Sequence, residues 1–242
     1  MQVIILAAGL GSRLGDLTKE TPKPLIAVCH RALIDHSLTF ARQAGATRRI
    51  VVGGYHYKDL AKAVADLDPE VQLVENKAFR RGNIISMLSG HAALSDGDGF
   101  LVMNSDHIYP EVIAEIVARA AHDAREITAF CDFDRALGPD DMKVELDADQ
   151  RVVSMSKTLA RWDSGYVGMT WIPANRRLAY TAATAATRQA HGDDVHVESI
   201  LNQLVLMGRA PAIADVSGHG WYEVDEPAER DWAEARLVAR AR

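Results

Sequence analysis

The sequence predicts an α/β fold with a mostly parallel central sheet. Through the first half of the chain, short apolar runs alternate with amphipathic stretches of helix length, which is the pattern of strands joined by crossover helices. The first apolar run also ends in a glycine-rich segment, which is typical of parallel sheets where they bind ligands. With 242 residues, the chain is long enough for one domain of this class, and we predict a single domain over residues 1–242.

Each element follows from a local pattern. In the first half we predict strands at residues 2–7, 49–53, 71–74, 99–103 and 126–131, separated by helices at 34–44, 58–67, 84–94 and 110–122. After Asp132 the alternation changes, and we predict a hairpin that turns at residues 147–150, followed by a strand at 165–172. The remaining predictions are helices at 174–190 and 195–207, a strand at 212–216, an extended run at 221–224 and a closing helix from residue 227.

The composition narrows the class of protein. Hydrophobic residues make up 48% of the chain and charged residues 25%, as in ordinary soluble domains. A net charge of −6 argues against general affinity for nucleic acid or anionic membranes. No run of about 18 apolar residues is present, and the first apolar stretch is too short for a signal peptide, so we expect a cytoplasmic protein without membrane insertion. Cys29 and Cys131 lack metal-ligand spacing and are predicted to be reduced and structural.

The glycine-rich segment after the first strand has the chemistry of a phosphate-binding loop. Gly9 and Gly11 allow main-chain N–H groups to point at phosphate oxygens, and Arg13 adds a forked cation that suits a polyphosphate. A dinucleotide-binding loop fits poorly because Gly15 comes one residue late for that spacing. A Walker A loop is excluded because no Gly-Lys-Ser/Thr follows.

A lysine between two prolines follows this loop. Pro22 and Pro24 restrict the backbone on both sides of Lys23 and disfavour a helix. We therefore expect a stiff extended segment that presents the ammonium group close to the loop. Such fixed presentation suits a catalytic residue better than a solvated surface lysine.

Several motifs together carry a family resemblance. The segment "LAAGLGSRL" followed by "TPKPL" resembles the signature of the sugar-phosphate nucleotidyltransferase superfamily, whose members join a nucleoside triphosphate to a phosphorylated acceptor and release pyrophosphate. The segments "VMNSD", "SMSK", "DSGYVGM" and "WYEVDEP" extend the resemblance over nearly the whole chain. It implies a Rossmann-like, GT-A-like three-layer αβα sandwich with a mixed, mostly parallel sheet. It also implies a nucleotide-binding half near residues 1–132 and an acceptor-binding half near 133–242.

The resemblance also assigns site residues. It implies Mg²⁺ as the cofactor, held by Asp106 and Asp225, although Asp225 taken alone could also cap the last helix and Asp106 alone could simply end a strand. Lys23 and Arg13 are the predicted catalytic residues. The predicted nucleotide contacts are Leu6, Ala7, Ala8, Gly9, Gly11, Ser12, Arg13, Gly82, Asn83 and Ser105, and the predicted acceptor contacts are Lys157, Asp163, Gly165 and Tyr166. Asn83 has a second interpretation as the cap of its own helix.

Within the superfamily, the segments "ENKAFRRGNIISML" and "NSDHIY" resemble the cytidylyltransferase branch. That branch uses CTP with inositol 1-phosphate, phosphocholine or small phosphonates, and the overall resemblance favours inositol 1-phosphate. A choline headgroup would require an aromatic cage, for which the candidates are Trp162, Tyr166, Trp221 and Tyr222. A polyol would require hydroxyl-binding side chains, for which the candidates are Asp163, Ser164 and Glu198.

Two further functions stay open on the sequence. One is a uridylyl- or thymidylyltransferase acting on a sugar 1-phosphate. The other is a nucleotide-binding regulatory module without catalysis, against which the retained Arg13, Lys23, Asp106 and Asp225 argue. Ser105 before Asp106, where many family members have glycine, removes no charge from the site.

Overall fold

The computed structural model describes residues 1–240. The strands are β1 (Gln2–Ala7), β2 (Ala27–Val28), β3 (Arg31–Ala32), β4 (Arg48–Gly53), β5 (Gln72–Glu75), β6 (Phe100–Asn104), β7 (His107–Ile108), β8 (Thr128–Asp132), β9 (Lys143–Leu146), β10 (Val152–Ser156), β11 (Ser164–Ile172), β12 (Ala212–Asp215) and β13 (Tyr222–Glu223). The α-helices are α1 (Leu33–Gln43), α2 (Tyr57–Leu67), α3 (Asn83–His91), α4 (Glu111–Asp123), α5 (Arg177–His191), α6 (Ser199–Leu206) and α7 (Pro227–Arg240).

Nine strands form one mixed sheet. Its main path runs β10-β9-β11-β6-β1-β4-β5, and β8 pairs with both β11 and β12. Four strand pairs are parallel, namely β1 with β4, β1 with β6, β4 with β5, and β8 with β12. In contrast, β11 pairs antiparallel with β6, β8 and β9. The α/β class with a mostly parallel, mixed sheet is confirmed.

Helices cover both faces of this sheet and make three layers. Val3 and Ile5 of β1 face one core with buried residues of α1, α2 and α4. Ile4 and Leu6 of the same strand face a second core with α3, α5 and α6. Because successive side chains of a strand point to opposite faces, one apolar strand serves both cores. The predicted three-layer αβα sandwich is confirmed.

A third, smaller core places the end of the chain beside the main sheet. Leu14, Ile108, Tyr222 and Ala233 are among its buried members. They hold α7 and the two-stranded sheet of β7 and β13 against the segment that follows β1. This core brings the C-terminal region next to the glycine-rich loop.

Two local predictions need correction. Lys23 begins a single 3₁₀ turn, Lys23–Leu25, rather than lying in an extended segment. Pro24 is compatible with this turn. Proline has no main-chain N–H, but in the first turn of a helix that N–H would have no partner within the helix. The helix predicted at 195–207 begins at Ser199, since residues 193–195 instead hydrogen-bond to residues 82–84 through their main chains.

Neither cysteine is bonded to another. Cys131 is fully buried in β8, and burial raises the pKa of its thiol to about 12, which makes it chemically inert. Cys29 lies in the turn between β2 and β3 with a positive φ of 52°, and its main-chain N–H donates to Glu234 at 3.0 Å. Within residues 1–240, no helix combines the length and the apolar character needed to cross a membrane.

Candidate active site

A cleft of about 290 Å³ opens at the carboxyl ends of β1 and β6. These strands are parallel neighbours, so the loops that follow them leave the sheet side by side. The N–H of Ser105 donates to the carbonyl of Leu6 at 3.2 Å and joins the two loops. The glycine-rich loop and the Asp106 segment therefore form adjoining walls of one cleft.

The glycine-rich loop packs directly on Lys23. Gly11 has a positive φ of 64°, and a Cβ at this position would lie 2.7 Å from the Cβ of Lys23. Thr18 secures the loop by donating its hydroxyl to the Gly11 carbonyl at 2.9 Å. Glycine is required here both for the backbone conformation and for the close approach of the lysine.

The Lys23 ammonium joins two carboxylates. Its Nζ lies 2.6 Å from Asp106 Oδ2 and also donates to Asp225 Oδ1, although these acids are 83 and 202 residues away in sequence. Burial opposes charge on Lys23, but the two carboxylates outweigh it and raise the pKa of the lysine. Burial likewise opposes charge on Asp106, but Lys23 and His107 lower its pKa well below the usual range. Lys23 and Asp106 are therefore both held charged.

Asp225 reaches this position through the pairing of β13 with β7. Tyr222 lies opposite Ile108 in that pair, and the N–H of Val224 donates to the Asp106 carbonyl at 2.9 Å. Glu229, not Asp225, caps the last helix, because its carboxylate accepts the main-chain N–H of Asp225 at 2.7 Å. The carboxylate of Asp225 is thereby left to face the cleft.

Arg13 completes the charged network. Its guanidinium lies 2.7 Å from Asp225 Oδ2 and 3.5 Å from Asp140 Oδ2. Asp225 thus contacts both predicted catalytic cations, one through each oxygen. The side chain of Arg13 is 45% exposed and borders the cleft on the side of the glycine-rich loop.

His107 and Glu223 were missed by the sequence reasoning. His107 Nδ1 lies 2.7 Å from Asp106 Oδ1, and its ring stacks against those of Tyr109 and Trp221, with centroids 5.7 and 5.3 Å away. Burial opposes charge on His107, but Glu223 and Asp106 outweigh it and raise the pKa of the imidazole. Two signals were available in the sequence. His107 directly follows Asp106, and Glu223 precedes Asp225 by two residues, which is the spacing of side chains on one face of an extended segment.

The acidic groups suit a divalent cation. Oxygens of Asp106 and Asp225 converge on one ammonium, so both already face a position that accommodates positive charge. The possible ligand atoms of Asp106, His107 and Glu223 lie within 4.8 Å of one another. Carboxylate oxygens are the ligands that Mg²⁺ prefers, so the residues present fit the expected ion.

Most of the predicted site residues line this cleft. They are Leu6, Ala7, Ala8, Gly9, Gly11, Ser12, Arg13, Lys23, Asn83, Ser105, Asp106, Lys157, Tyr166 and Asp225. The lining also includes Asn104, Met142, Gly168 and His196, which the sequence reasoning did not single out. The ligand contacts of all these residues, and the boundary near residue 132 between two functional halves, stay predictions.

Gly82 does not lie among the lining residues. Its N–H donates to the Asp193 carbonyl at 3.0 Å, and a Cβ here would collide with the backbone of Val195. Its neighbour Asn83 lines the cleft but does not cap its own helix, since its Oδ1 accepts the N–H of Val197 at 2.7 Å. The glycine therefore serves packing between two segments, and Asn83 connects them.

Gly165 and Asp163 also lie outside the lining that residues 1–240 provide. A Cβ on Gly165 would lie 2.6 Å from Leu137 Cδ2, so this glycine makes room for a packed side chain. The Asp163 carboxylate accepts the N–H of Leu146 at 2.8 Å and stabilises the edge of the β9 hairpin. Both residues thus have a structural role, and their contact with the acceptor stays a prediction.

Neither set of side chains considered for the acceptor is assembled. Of the four aromatic candidates only Tyr166 lines the cleft, and its hydroxyl is paired with Thr170 at 2.8 Å. Trp221 is buried and donates to Asp132 at 2.8 Å. Of the three hydroxyl-binding candidates, only Glu198 is part of the lining.

The chain has a recognisable family. Residues 3–209 match the MobA-like NTP transferase domain. The chain belongs to this family. The matched span holds the glycine-rich loop and most of the sheet and of the cleft, whereas β12, β13, Asp225 and the last helix lie beyond it.

Individual relatives of this NTP transferase are cytidylyltransferases. The 2-aminoethylphosphonate cytidylyltransferase of Lancefieldella rimae is 38% identical over 112 residues, which are 44% of this chain and 45% of that protein. The CMP-5'-(3-aminopropyl)phosphonate synthase of Streptomyces rubellomurinus is 25% identical over 98% of this chain and 39% of its own length. The matches thus span less than half of either curated relative.

A solved structure shares the fold over almost its full length. The inositol-1-phosphate CTP transferase from T. maritima superposes with a TM-score of 0.80 and 21% identity, covering 94% of this chain and 90% of that chain. At this level of identity the likeness concerns the fold alone. It agrees with the three-layer architecture seen here.

Proposed function

We propose that this NTP transferase transfers CMP from CTP to a small-molecule acceptor that carries a phosphate or phosphonate, and releases pyrophosphate. The observation that carries the proposal is the contact of Lys23 with both Asp106 and Asp225 beside the glycine-rich loop. It gives the cleft a fixed cation and two acids at the place where a phosphate-type loop ends. The relatives that act as cytidylyltransferases support CTP as the donor.

The reaction in this cleft is an in-line displacement at phosphorus. An oxygen of the acceptor's phosphate or phosphonate forms a bond to the α-phosphorus of CTP, while the bond from that phosphorus to the β-phosphate oxygen breaks and pyrophosphate leaves. No general base is needed, because the attacking oxygen is already anionic. The main barrier is repulsion between anions, which fixed cations reduce.

Lys23 and Arg13 supply these fixed cations. Lys23 stabilises the charge that develops around the α-phosphorus, and its position is fixed in advance by Gly11 and the two carboxylates. Arg13 and the main-chain N–H groups of the glycine-rich loop bind the β- and γ-phosphates. Asp106 and Asp225 would hold Mg²⁺, which as a Lewis acid neutralises charge on phosphate oxygens when bound.

Lys157, which also lines the cleft, binds the phosphate or phosphonate of the acceptor. Overall sequence resemblance favours inositol 1-phosphate or a related cyclitol or small alcohol phosphate as the acceptor. Phosphocholine and small phosphonates are the alternatives within the same reaction class. A uridylyl- or thymidylyltransferase acting on a sugar 1-phosphate is the second candidate function.

A pyrophosphate-release screen tests the proposed function. CTP, UTP, dTTP and ATP are each combined with inositol 1-phosphate, phosphocholine, 2-aminoethylphosphonate and glucose 1-phosphate in the presence of Mg²⁺. We expect release only with CTP. Release with UTP or dTTP and the sugar phosphate would establish the second candidate, and triphosphate binding with no release from any pair would indicate a regulatory module.

A further inference from the structure

Glu198 is a buried carboxylate in the wall of the cleft. The residue is only 8% exposed, yet it belongs to the cleft lining. Its carboxylate forms no ion pair among the residues that the structure describes. It accepts a hydrogen bond from the main-chain N–H of the same residue. Buried carboxylates in folded proteins are ordinarily paired with a cation, so this one lacks its usual partner.

The charged groups near Glu198 compensate for its burial only in part. Burial raises the pKa of Glu198, and attraction by His196 and Lys157 offsets this only in part. Repulsion from Asp106 acts in the same direction as burial. A cation that entered the cleft beside Glu198 would remove this penalty, so the site favours a positively charged ligand group.

The segment that carries Glu198 is held in place before any ligand binds. The N–H of Val197 donates to Asn83 Oδ1 at 2.7 Å, and Ile200 and Leu201 are buried in the core beneath α6. The N–H of Leu201 donates to the Glu198 carbonyl at 2.9 Å. The carboxylate is therefore preorganised, as a specificity-determining group must be.

We propose that the acceptor is a small zwitterion, whose phosphonate or phosphate is bound by Lys157 and whose primary ammonium is bound by Glu198. This inference rests on the proposed function, because it concerns the acceptor of the same reaction. A quaternary ammonium fits less well, because three of the four aromatic candidates for a cage, namely Trp162, Trp221 and Tyr222, are outside the cleft lining. A primary ammonium instead donates hydrogen bonds to a carboxylate.

A matched pair of acceptors isolates the ammonium. 2-Aminoethylphosphonate and 2-hydroxyethylphosphonate differ by one terminal group of similar size, so kcat/KM for the two with CTP compares charge at nearly constant shape. We expect the amine to be preferred by about a hundredfold, because loss of a charged hydrogen-bond partner leaves Glu198 buried and unpaired. Inositol 1-phosphate and phosphocholine complete the panel.

Glu198→Gln tests the assigned residue. The substitution keeps the shape of the side chain and removes its charge, so we expect the preference for the amine to fall to within about threefold, mainly through KM of the amine. Asp140→Asn is the matched control: it neutralises an acid on the Arg13 side of the same cleft and should leave the preference unchanged. Glu198→Asp retains the charge and should retain most of the preference.

The outcomes separate the two proposals. Turnover of CTP with inositol 1-phosphate or 2-hydroxyethylphosphonate at least as fast as with the amine would overturn the inference and leave the proposed function standing. An undiminished preference in folded Glu198→Gln would also overturn the assignment to Glu198. Melting curves verify folding, and should Glu198→Gln not fold, Glu198→Asp and calorimetric binding of the two phosphonates to the wild-type protein decide the question. Failure of every acceptor with CTP would overturn the proposed function as well.

Discussion

Lys23 Nζ lies 2.6 Å from Asp106 Oδ2, and the same ammonium holds Asp225. If Lys23 stabilises charge in the transition state, its loss must appear in kcat. We expect Lys23→Ala to lower kcat by about 10²–10³-fold with both substrates saturating, in line with the loss of other preorganised charge donors. Lys23→Arg should rescue only part of this, because a planar fork does not replace a compact ammonium.

The control for this lysine is Lys62→Ala, which removes an exposed surface cation on α2. Loss of Lys23 leaves two acids facing each other in the cleft, so we also expect the melting temperature of Lys23→Ala to rise more with added Mg²⁺ than that of the wild type. A kcat for Lys23→Ala within about threefold of the wild type would end the catalytic assignment.

Gly11 and Gly15 provide a matched pair in one loop. Both have a positive φ, but only at Gly11 would a Cβ press on Lys23, since nothing lies within 4 Å of a Cβ at Gly15. Gly15 has a φ of 58° and a ψ of −122°, a region that only glycine adopts readily, so Gly15→Ala should cost only a backbone penalty, of about 1–3 kcal/mol in stability. Gly11→Ala should in addition lower kcat, because the new methyl group displaces the Lys23 ammonium. Equal kcat values for folded Gly11→Ala and Gly15→Ala would contradict the role of Gly11 in positioning Lys23.

The carboxylate pair predicts the metal requirement. Asp106→Asn and Asp225→Asn should each abolish Mg²⁺-dependent turnover, because each halves the negative charge available to the ion. Electron paramagnetic resonance of Mn²⁺ with CTP measures binding directly and should show the same loss. Asp66→Asn, at an exposed ion pair on α2, is the control, and undiminished Mn²⁺ binding by either cleft variant would remove that residue from the metal site.

Lys157 predicts a separation between the two substrates. Lys157→Ala should raise the KM of the acceptor while the KM of CTP stays nearly constant, because we propose that this cleft residue binds the phosphate or phosphonate of the acceptor. Steady-state kinetics with each substrate varied in turn measure both constants. A rise confined to CTP would place Lys157 on the nucleotide side.

A buried ion pair away from the cleft predicts the response to acid. Arg49 Nε lies 2.8 Å from Asp68 Oδ2, and both side chains are buried. Asp68→Asn removes the buried carboxylate and leaves Arg49 paired with the exposed Glu70, so we expect it to cost about 1.5–3 kcal/mol of unfolding free energy, against almost nothing for Asp66→Asn. Burial opposes charge on Asp68, but Arg49 outweighs it and lowers the pKa of the carboxyl.

The sign of the pH effect follows from that lowered pKa. The stabilisation by Asp68 is fully present above the unfolded pKa of about 3.9 and is lost as the pH falls through the lower folded value. Urea unfolding of wild type and Asp68→Asn between pH 2 and 7 measures this difference. A difference that stays constant below pH 4 would contradict a linked protonation at this residue.

The sequence by itself determined the elements and the kind of site. The apolar run that contains Val3 and Ile5 predicted β1 with its observed bounds, because such a run is a local property of the chain. The glycines near position 11 and the prolines around Lys23 predicted a phosphate-type loop and a fixed lysine, since both restrict the backbone locally. The family resemblance added the prediction that Asp106 and Asp225 together hold a metal ion.

Only the tertiary structure decided which side chains meet. The pairing of β13 with β7 places Glu223 beside His107, and the packing of residues 193–195 on Gly82 leaves no room for a side chain there. The same packing sets Glu198 into the cleft without a charged partner among the described residues. These contacts join positions about 110 to 120 residues apart in sequence. No local pattern encodes them, because their free energy comes from burying both segments together in the folded core.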